Sequence, residues 1–254
     1  MLTTQEQLKY SRQIMLDKIG QQGQVSLRNA KVLIVGVGGL GNPASLYLAA
    51  AGVGTLYLAD GDTIELSNLP RQIQFNEQDI NQNKADTAAV KLTQQFPDSN
   101  IEAIDDMLDQ ELCDYYLPQV DLVLDCSDNI ATRYLINQAC IIHKVPLVVG
   151  AATGFDGQQM VIDPRDNSSA CYHCLFPASE KAPANNCQTI GILGPVLAIV
   201  AGMQALQAIK LLTGNKAQIN KLNLFDGLSN QWQHFTMKKQ KNCTVCGEKS
   251  PHFL

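Results

Sequence analysis

The sequence predicts an α/β protein: a mostly parallel sheet with helices on both faces, extended at its C-terminal end by antiparallel strands that a four-cysteine metal site ties down. Three observations carry this. Short β-rich runs alternate with stretches of helical apolar spacing through the first 150 residues. A G-x-G-x-x-G turn, Gly36 to Gly41, links the first such run to a helix. Two Cys-x-x-Cys pairs close the pattern, one of them near the C-terminus.

The elements follow in order. Thr3 or Thr4 is placed to cap a first helix, with Glu6 or Gln7 within capping-box reach. Leu8, Ile14, Met15 and Ile19 give that helix one apolar face. Lys31 to Val35 reads as a buried parallel strand. The glycine turn, a helix of small residues from Pro43 to Ala51 and a strand from Thr55 to Ala59 complete one βαβ unit ending at Asp60. Helices are expected over 84–95, 110–117 and 129–144, and strands over 101–104, 121–125 and 146–149.

After Gly150 the rhythm changes. A strand over 158–162 precedes a turn-rich loop, and the polar, aperiodic stretch 178–186 reads as a surface loop. Pro195 to Leu212 reads as a helix, with proline at its start and Gly214 past its end. Leu222 to Phe225 and Trp232 to Met237 read as an antiparallel pair.

Composition excludes several classes. Hydrophobic residues make up 45% of the 254 and charged ones 17%, which supports a core and opposes disorder. Lys plus Arg total 19 against 24 for Asp plus Glu, so nucleic acid is not an expected partner. The N-terminus has no apolar leader, and the most apolar stretch, 190–203, is interrupted by Gly191, Gly194, Pro195 and Gly202. A cytoplasmic protein with no membrane partner is the expectation, and there cysteines bind metal or do chemistry more often than they pair.

The glycine turn brings backbone and a helix N-terminus close to a phosphate. Asp60 ends the second strand, 19 residues beyond Gly41, where an acid can bond a ribose hydroxyl. NAD in an oxidoreductase and ATP in a nucleotidyl-transfer enzyme both fit the turn. The following segment, Asp60-Gly-Asp-Thr-Ile-Glu-Leu-Ser-Asn-Leu-Pro-Arg-Gln, favours ATP. Arg71 offers a planar guanidinium to phosphate oxygens, Asn68 and Gln74 offer amides, and Lys84 offers a compact charge. Asp128, past the end of the 121–125 strand, can hold Mg²⁺. Taken singly, Arg71, Lys84 and Arg133 read as solvated charges, and Asp125 or Asp128 as a cap for the helix near Asn129.

Cys171, Cys174, Cys243 and Cys246 offer four thiolates to a tetrahedral Zn²⁺. The 68 residues between the two pairs make this a clamp tying the tail to the body; a pair of redox dithiols is the alternative. His173 lies inside the first knuckle and is not expected to ligate. Cys113, Cys126 and Cys140 sit in apolar or helical contexts and read as core packing. Cys187 stands apart, between the polar loop and the apolar segment, either a reactive thiol at a helix start or a free surface cysteine.

The ordered set Ser11–Ile14 (SRQI), Gly36–Gly41, Asp60–Gln72, Asp125–Asn129 (DCSDN) and the two cysteine pairs resembles the ThiF/MoeB/HesA family, relatives of ubiquitin-activating enzymes, over nearly the whole chain. The stretches 187–196, 154–158 and 224–227 with Trp232 look most like its ThiF branch. The resemblance implies a Rossmann-like ATP-binding part over 1–150 and a carrier-binding, zinc-containing part over 151–254 of a single domain. It implies adenylylation of the C-terminal glycine of a ubiquitin-like sulfur carrier of ThiS type; the MoeB branch implies a MoaD-type carrier. Gly38, Gly39 and Gly41 would lie against the phosphates, Asp60 at the ribose, and Asn68, Arg71, Gln74, Lys84, Asp128 and Asn129 around the Mg-triphosphate. Arg12 would reach the phosphates from the partner subunit of a homodimer. Cys187 would form a sulfur linkage with the activated carrier, fed by a donor such as a cysteine desulfurase. Two departures are visible: Asn83 stands where relatives often carry proline, and Pro70 where they often carry glutamine.

Overall fold

The computed structural model describes residues 1–177, 191–248 and 250. In chain order its elements are α1 (Thr4–Lys9), α2 (Ser11–Ile14), α3 (Gly20–Asn29), β1 (Lys31–Val35), α4 (Gly41–Ala50), β2 (Thr55–Ala59), α5 (Lys84–Gln95), β3 (Asn100–Ile104), α6 (Gln110–Tyr116), β4 (Leu122–Asp125), α7 (Ile130–His143), β5 (Leu147–Thr153), β6 (Asp156–Ile162), α8 (Tyr172–Leu175), α9 (Gly194–Leu212), β7 (Lys221–Asp226) and β8 (Gln231–Thr236).

All eight strands form one sheet in the order β3-β2-β1-β4-β5-β6-β7-β8. The first five are parallel, and β6, β7 and β8 join antiparallel. The chain runs outward from β1 to β3, then returns to place β4 on the other side of β1. That reversal opens a crevice beyond the carboxyl ends of β1 and β4, where open α/β sheets bind ligands. β5 pairs with β4 over Leu147 to Val149, yet continues to Thr153 beside β6. Position 150 therefore lies inside a strand of the continuous sheet.

Alternation along the strands feeds two cores. Val32 and Ile34 join α3, α4, α5 and α9 on one face, whereas Leu33 and Val35 join α6 and α7 on the other. Val32 to Val35 are buried on both faces, as a central parallel strand requires.

The N-terminal expectation is corrected. Thr3 does cap α1, and Glu6 reaches back to complete the capping box. The helix then breaks at Tyr10, and the chain passes through α2 before α3, an element the apolar spacing does not reveal. Leu8 and Met15 are exposed, so they form no shared buried face. Tyr10 is the buried residue there, and its ring sits against Gly52.

Helix α9 runs 19 residues and is long and apolar enough, by length and composition, to cross a membrane, more so than the broken stretch 190–203 suggests. Here it lies on β5, β6 and α4, with Gln204 and Gln207 buried on its inner face. The loop over 178–186 and Cys187 lie outside the described residues.

Candidate active site

The crevice holds about 590 Å³. Its floor is the glycine turn and the ends of β1 and β4; one wall is the 60–72 segment with Lys84, the other Ala151 to Thr153 with Ile192 and Leu197.

The turn is built by glycines with different duties. Gly36 has φ +86°, and a Cβ there would sit 2.9 Å from the Cys126 carbonyl oxygen. At Gly41 a Cβ would lie 1.8 Å from the Gly36 carbonyl oxygen, which no adjustment of a side chain relieves. Gly38 instead faces the crevice, where the nearest atom to a Cβ is Gln72 Nε2 at 3.4 Å. The N–H groups of Gly38, Gly39 and Leu40 take no backbone acceptor among the described residues. They precede α4 and are free to bind an anion.

Asp60 is buried at the end of β2, and its Oδ2 accepts from the Val37 N–H at 2.7 Å while Oδ1 accepts from Asp62 N–H at 2.9 Å. Burial raises its pKa, and the nearby Lys84 charge and the two N–H donors oppose that rise. The acid thus braces the turn from below as well as lining the crevice. Lys84 begins α5, capped by Asn83, which accepts from the Asp86 N–H at 3.0 Å and donates to the Asp60 carbonyl at 3.0 Å. The Lys84 side chain is 9% exposed, and its Nζ meets Asp62 Oδ2 at 2.8 Å. Asn68 is buried, closing a turn in which its Oδ1 accepts from the Glu65 N–H. Arg71 Nη1 donates to the Ser67 carbonyl at 2.7 Å, which orients the guanidinium along the crevice wall.

Gln74 differs from expectation. It turns away from the crevice, donating to the Asn42 carbonyl and to Ser45 Oγ, while its N–H donates to Asn42 Oδ1. Gln72 occupies the crevice instead: it is 3% exposed, and its Oε1 has no hydrogen-bond partner among the described residues. Turn geometry decided this, since the N–H groups of Arg71 and Gln72 both bond the Asn68 carbonyl and turn 72 inward.

Across the crevice, Asp128 and Asn129 are exposed and line it. Asn129 is the cap of α7, accepting from the Thr132 N–H at 2.8 Å, so neither Asp125 nor Asp128 has that role. Asp125 is fully buried and accepts from Ser127 N–H and Oγ–H. Burial raises its pKa, opposed first by the Arg133 charge. Arg133, read singly as a solvated charge, is buried and donates to the carbonyls of Ser127 and Gly150 at 2.7 and 3.0 Å. It ties the loop after β4, at the residue preceding Asp128, to the middle of β5. Gln204 of α9 links β4 and β5 from the other face, donating to the carbonyls of Asp125 and Val148. The sequence carried a signal for Gln204 only as a polar residue inside an apolar run.

Arg12 lies on α2, exposed and outside the crevice of its own chain. Cys113, Cys126 and Cys140 are buried, and burial pushes the Cys113 thiol up to about 12, so none is a ready nucleophile.

The four other described cysteines converge. Cys171, Cys174, Cys243 and Cys246 place their sulfurs within 4.8 Å of one another. Individual separations are 3.9, 3.7 and 3.4 Å. A tetrahedron of about 2.3 Å Zn–S bonds has S···S edges of about 3.8 Å, so the donor set fits a zinc ion.

The sequence pattern of the ThiF family matches residues 10–245. The chain belongs to the ThiF family. It is 47% identical over 240 residues to the sulfur carrier protein ThiS adenylyltransferase of Escherichia coli, covering 94% of this chain and 95% of that one. It is also 39% identical over 252 residues to the adenylyltransferase and sulfurtransferase MOCS3 of Drosophila willistoni, covering 98% of this chain. The chain spans 55% of the length of that second relative. Among solved structures, Escherichia coli MccB with ATP superposes with a TM-score of 0.81 at 24% identity, over 94% of this chain and 73% of that one. PaaA superposes at 0.79 with 23% identity, over 94% and 76%. At such identities these structures bear on the fold of this ThiF-family chain alone.

Proposed function

We propose that the chain activates the C-terminal glycine of a ubiquitin-like sulfur carrier of ThiS type by adenylylation, as a step towards thiamine. The observation that carries this reading is the 47% identity, end to end, to a ThiS adenylyltransferase. The crevice supplies a fitting chemistry. A carrier carboxylate, already ionised, attacks the α-phosphorus of ATP. A C–O–P bond forms, the bond from the α-phosphorus to the bridging oxygen breaks, and its electron pair leaves with pyrophosphate. No side-chain base is required, so the protein's part is positioning and charge.

In this reading the N–H groups at Gly38, Gly39 and the start of α4, from Gly41, receive phosphate oxygens. Asp60 meets the ribose. Asn68, Arg71, Gln72 and Lys84 surround the triphosphate from one wall, and Asp128 and Asn129 from the other. Asp128 is exposed in the crevice and makes none of the ion pairs among the described residues. It would hold Mg²⁺, which takes carboxylate and phosphate oxygens and would offset their charge. Arg12 would enter the crevice of a second copy in a homodimer. The four-cysteine cluster would hold Zn²⁺ and join β8 and the tail to α8. Cys187 would take part in the later sulfur step, supplied by a donor such as a cysteine desulfurase, in a cytoplasmic setting.

A MoaD-type carrier is the second reading, favoured by the 39% and 42% identities to MOCS3 proteins. Pyrophosphate–ATP exchange, measured with each purified carrier, separates them. Exchange is expected with a ThiS-type carrier and should vanish in Asp128→Ala; exchange supported only by the MoaD-type carrier would overturn the first reading.

A further inference from the structure

The Lys84–Asp62 ion pair joins unequal partners. Lys84 is 9% exposed and Asp62 is 55% exposed, yet both line the crevice. The root of Lys84 is pinned: its N–H donates to the Asp62 carbonyl at 3.0 Å, and Asn83 ties the same turn to Asp60. Only the ammonium end has freedom to choose a partner. Asp62 is its single ion-pair partner among the described residues.

A buried ammonium needs a counter-charge in every state, because an unpaired one carries a large desolvation penalty. In the crevice as it stands, Asp62 supplies the charge in contact with the ammonium, with the buried Asp60 close by. When a polyphosphate enters, its oxygens offer a denser negative charge to the same nitrogen. The half-exposed Asp62 carboxylate can then turn to solvent at little cost. When the polyphosphate leaves, Asp62 takes Lys84 back.

We propose that Asp62 is a counter-charge residue that competes with the nucleotide for Lys84, and so weakens binding of ATP and hastens loss of pyrophosphate. The inference rests on the nucleotide reading of the crevice. It differs in sign from a merely structural role, in which removing Asp62 would loosen Lys84 and weaken binding.

Asp62→Asn keeps an oxygen acceptor beside Lys84 and removes the charge. Dissociation constants for MgATP and for magnesium pyrophosphate, measured by calorimetry without carrier, are expected to tighten about three- to tenfold in this variant. In a Lys84→Met background the same change should tighten them less than about twofold, since the coupling runs through the ammonium. Lys84→Gln serves if Lys84→Met does not fold. Unchanged or weaker binding in Asp62→Asn overturns the proposal, as does an equal gain without Lys84. Failure of the wild-type protein to bind MgATP would instead overturn the nucleotide reading itself.

Discussion

Gln72 and Gln74 stand two residues apart in one short segment and do opposite things. Gln74 donates from its side-chain amide and its N–H to Asn42 and Ser45 at the start of α4, so it clamps the segment to the helix behind the glycine turn, although its own Oε1 has no partner among the described residues. Gln72 holds an unpartnered oxygen and an amide nitrogen over Gly38. Gln72→Leu should therefore raise the KM for ATP about tenfold with little change in melting temperature, because a lost phosphate bond is worth about 1.5 kcal/mol. Gln74→Leu should remove the two hydrogen bonds that the side-chain amide donates to the Asn42 carbonyl and Ser45 Oγ, leaving the backbone bond to Asn42 in place, and lower stability by about 1–2 kcal/mol. Paired kinetics and thermal melts check both, and the reverse pattern would restore Gln74 to the crevice. Residue types were legible here, but the facing of each side chain was not. It depends on a turn closed by Asn68 and on the helix it packs against, both distant in physical effect from the local pattern.

At the scale of elements, the parallel half was readable because strand and helix periods differ and the buried runs are short. Asn129 shows the limit: the sequence offers Asp125 or Asp128 as the cap of α7, and the extended backbone at Asn129 gives the role to that residue instead. Helix α9 shows another. Its apolar run predicts a helix, yet what matters for the crevice is Gln204, which donates to the carbonyl of Asp125 at the end of β4 and to that of Val148 near the start of β5. Gln204→Leu should remove the amide that bonds both carbonyls and leave an apolar side chain against the polar edge of β4, close to the loop that carries Asp128. We expect about 1–3 kcal/mol loss of stability and a fall in exchange activity larger than the global loss explains. Urea unfolding and exchange assays on the same preparation test this; a silent substitution would mean that β4 and β5 need no support from α9. Apolar spacing predicts one N-terminal helix where the chain forms two, because Leu8 and Met15 face outward while Tyr10 anchors the break.

For the whole molecule, the two cysteine pairs bring the tail beneath the parallel body, 72 residues apart in sequence between Cys171 and Cys243. Metal analysis should find about one zinc per chain, and Cys246→Ser or a strong chelator should lower the melting temperature while the parallel core persists. A protein with no zinc and unchanged melting would leave the cluster as reduced thiols. The sequence by itself determined the fold class, the glycine turn, the crevice-lining acid and cations, and the metal ligand types, since each follows from local spacing and chemistry. Tertiary structure alone decided which glutamine enters the crevice, that Arg133 is a buried strut rather than a surface charge, and that Lys84 is neutralised by Asp62. Those outcomes depend on which groups long-range packing removes from water, and burial, unlike spacing, is not a property of any short segment.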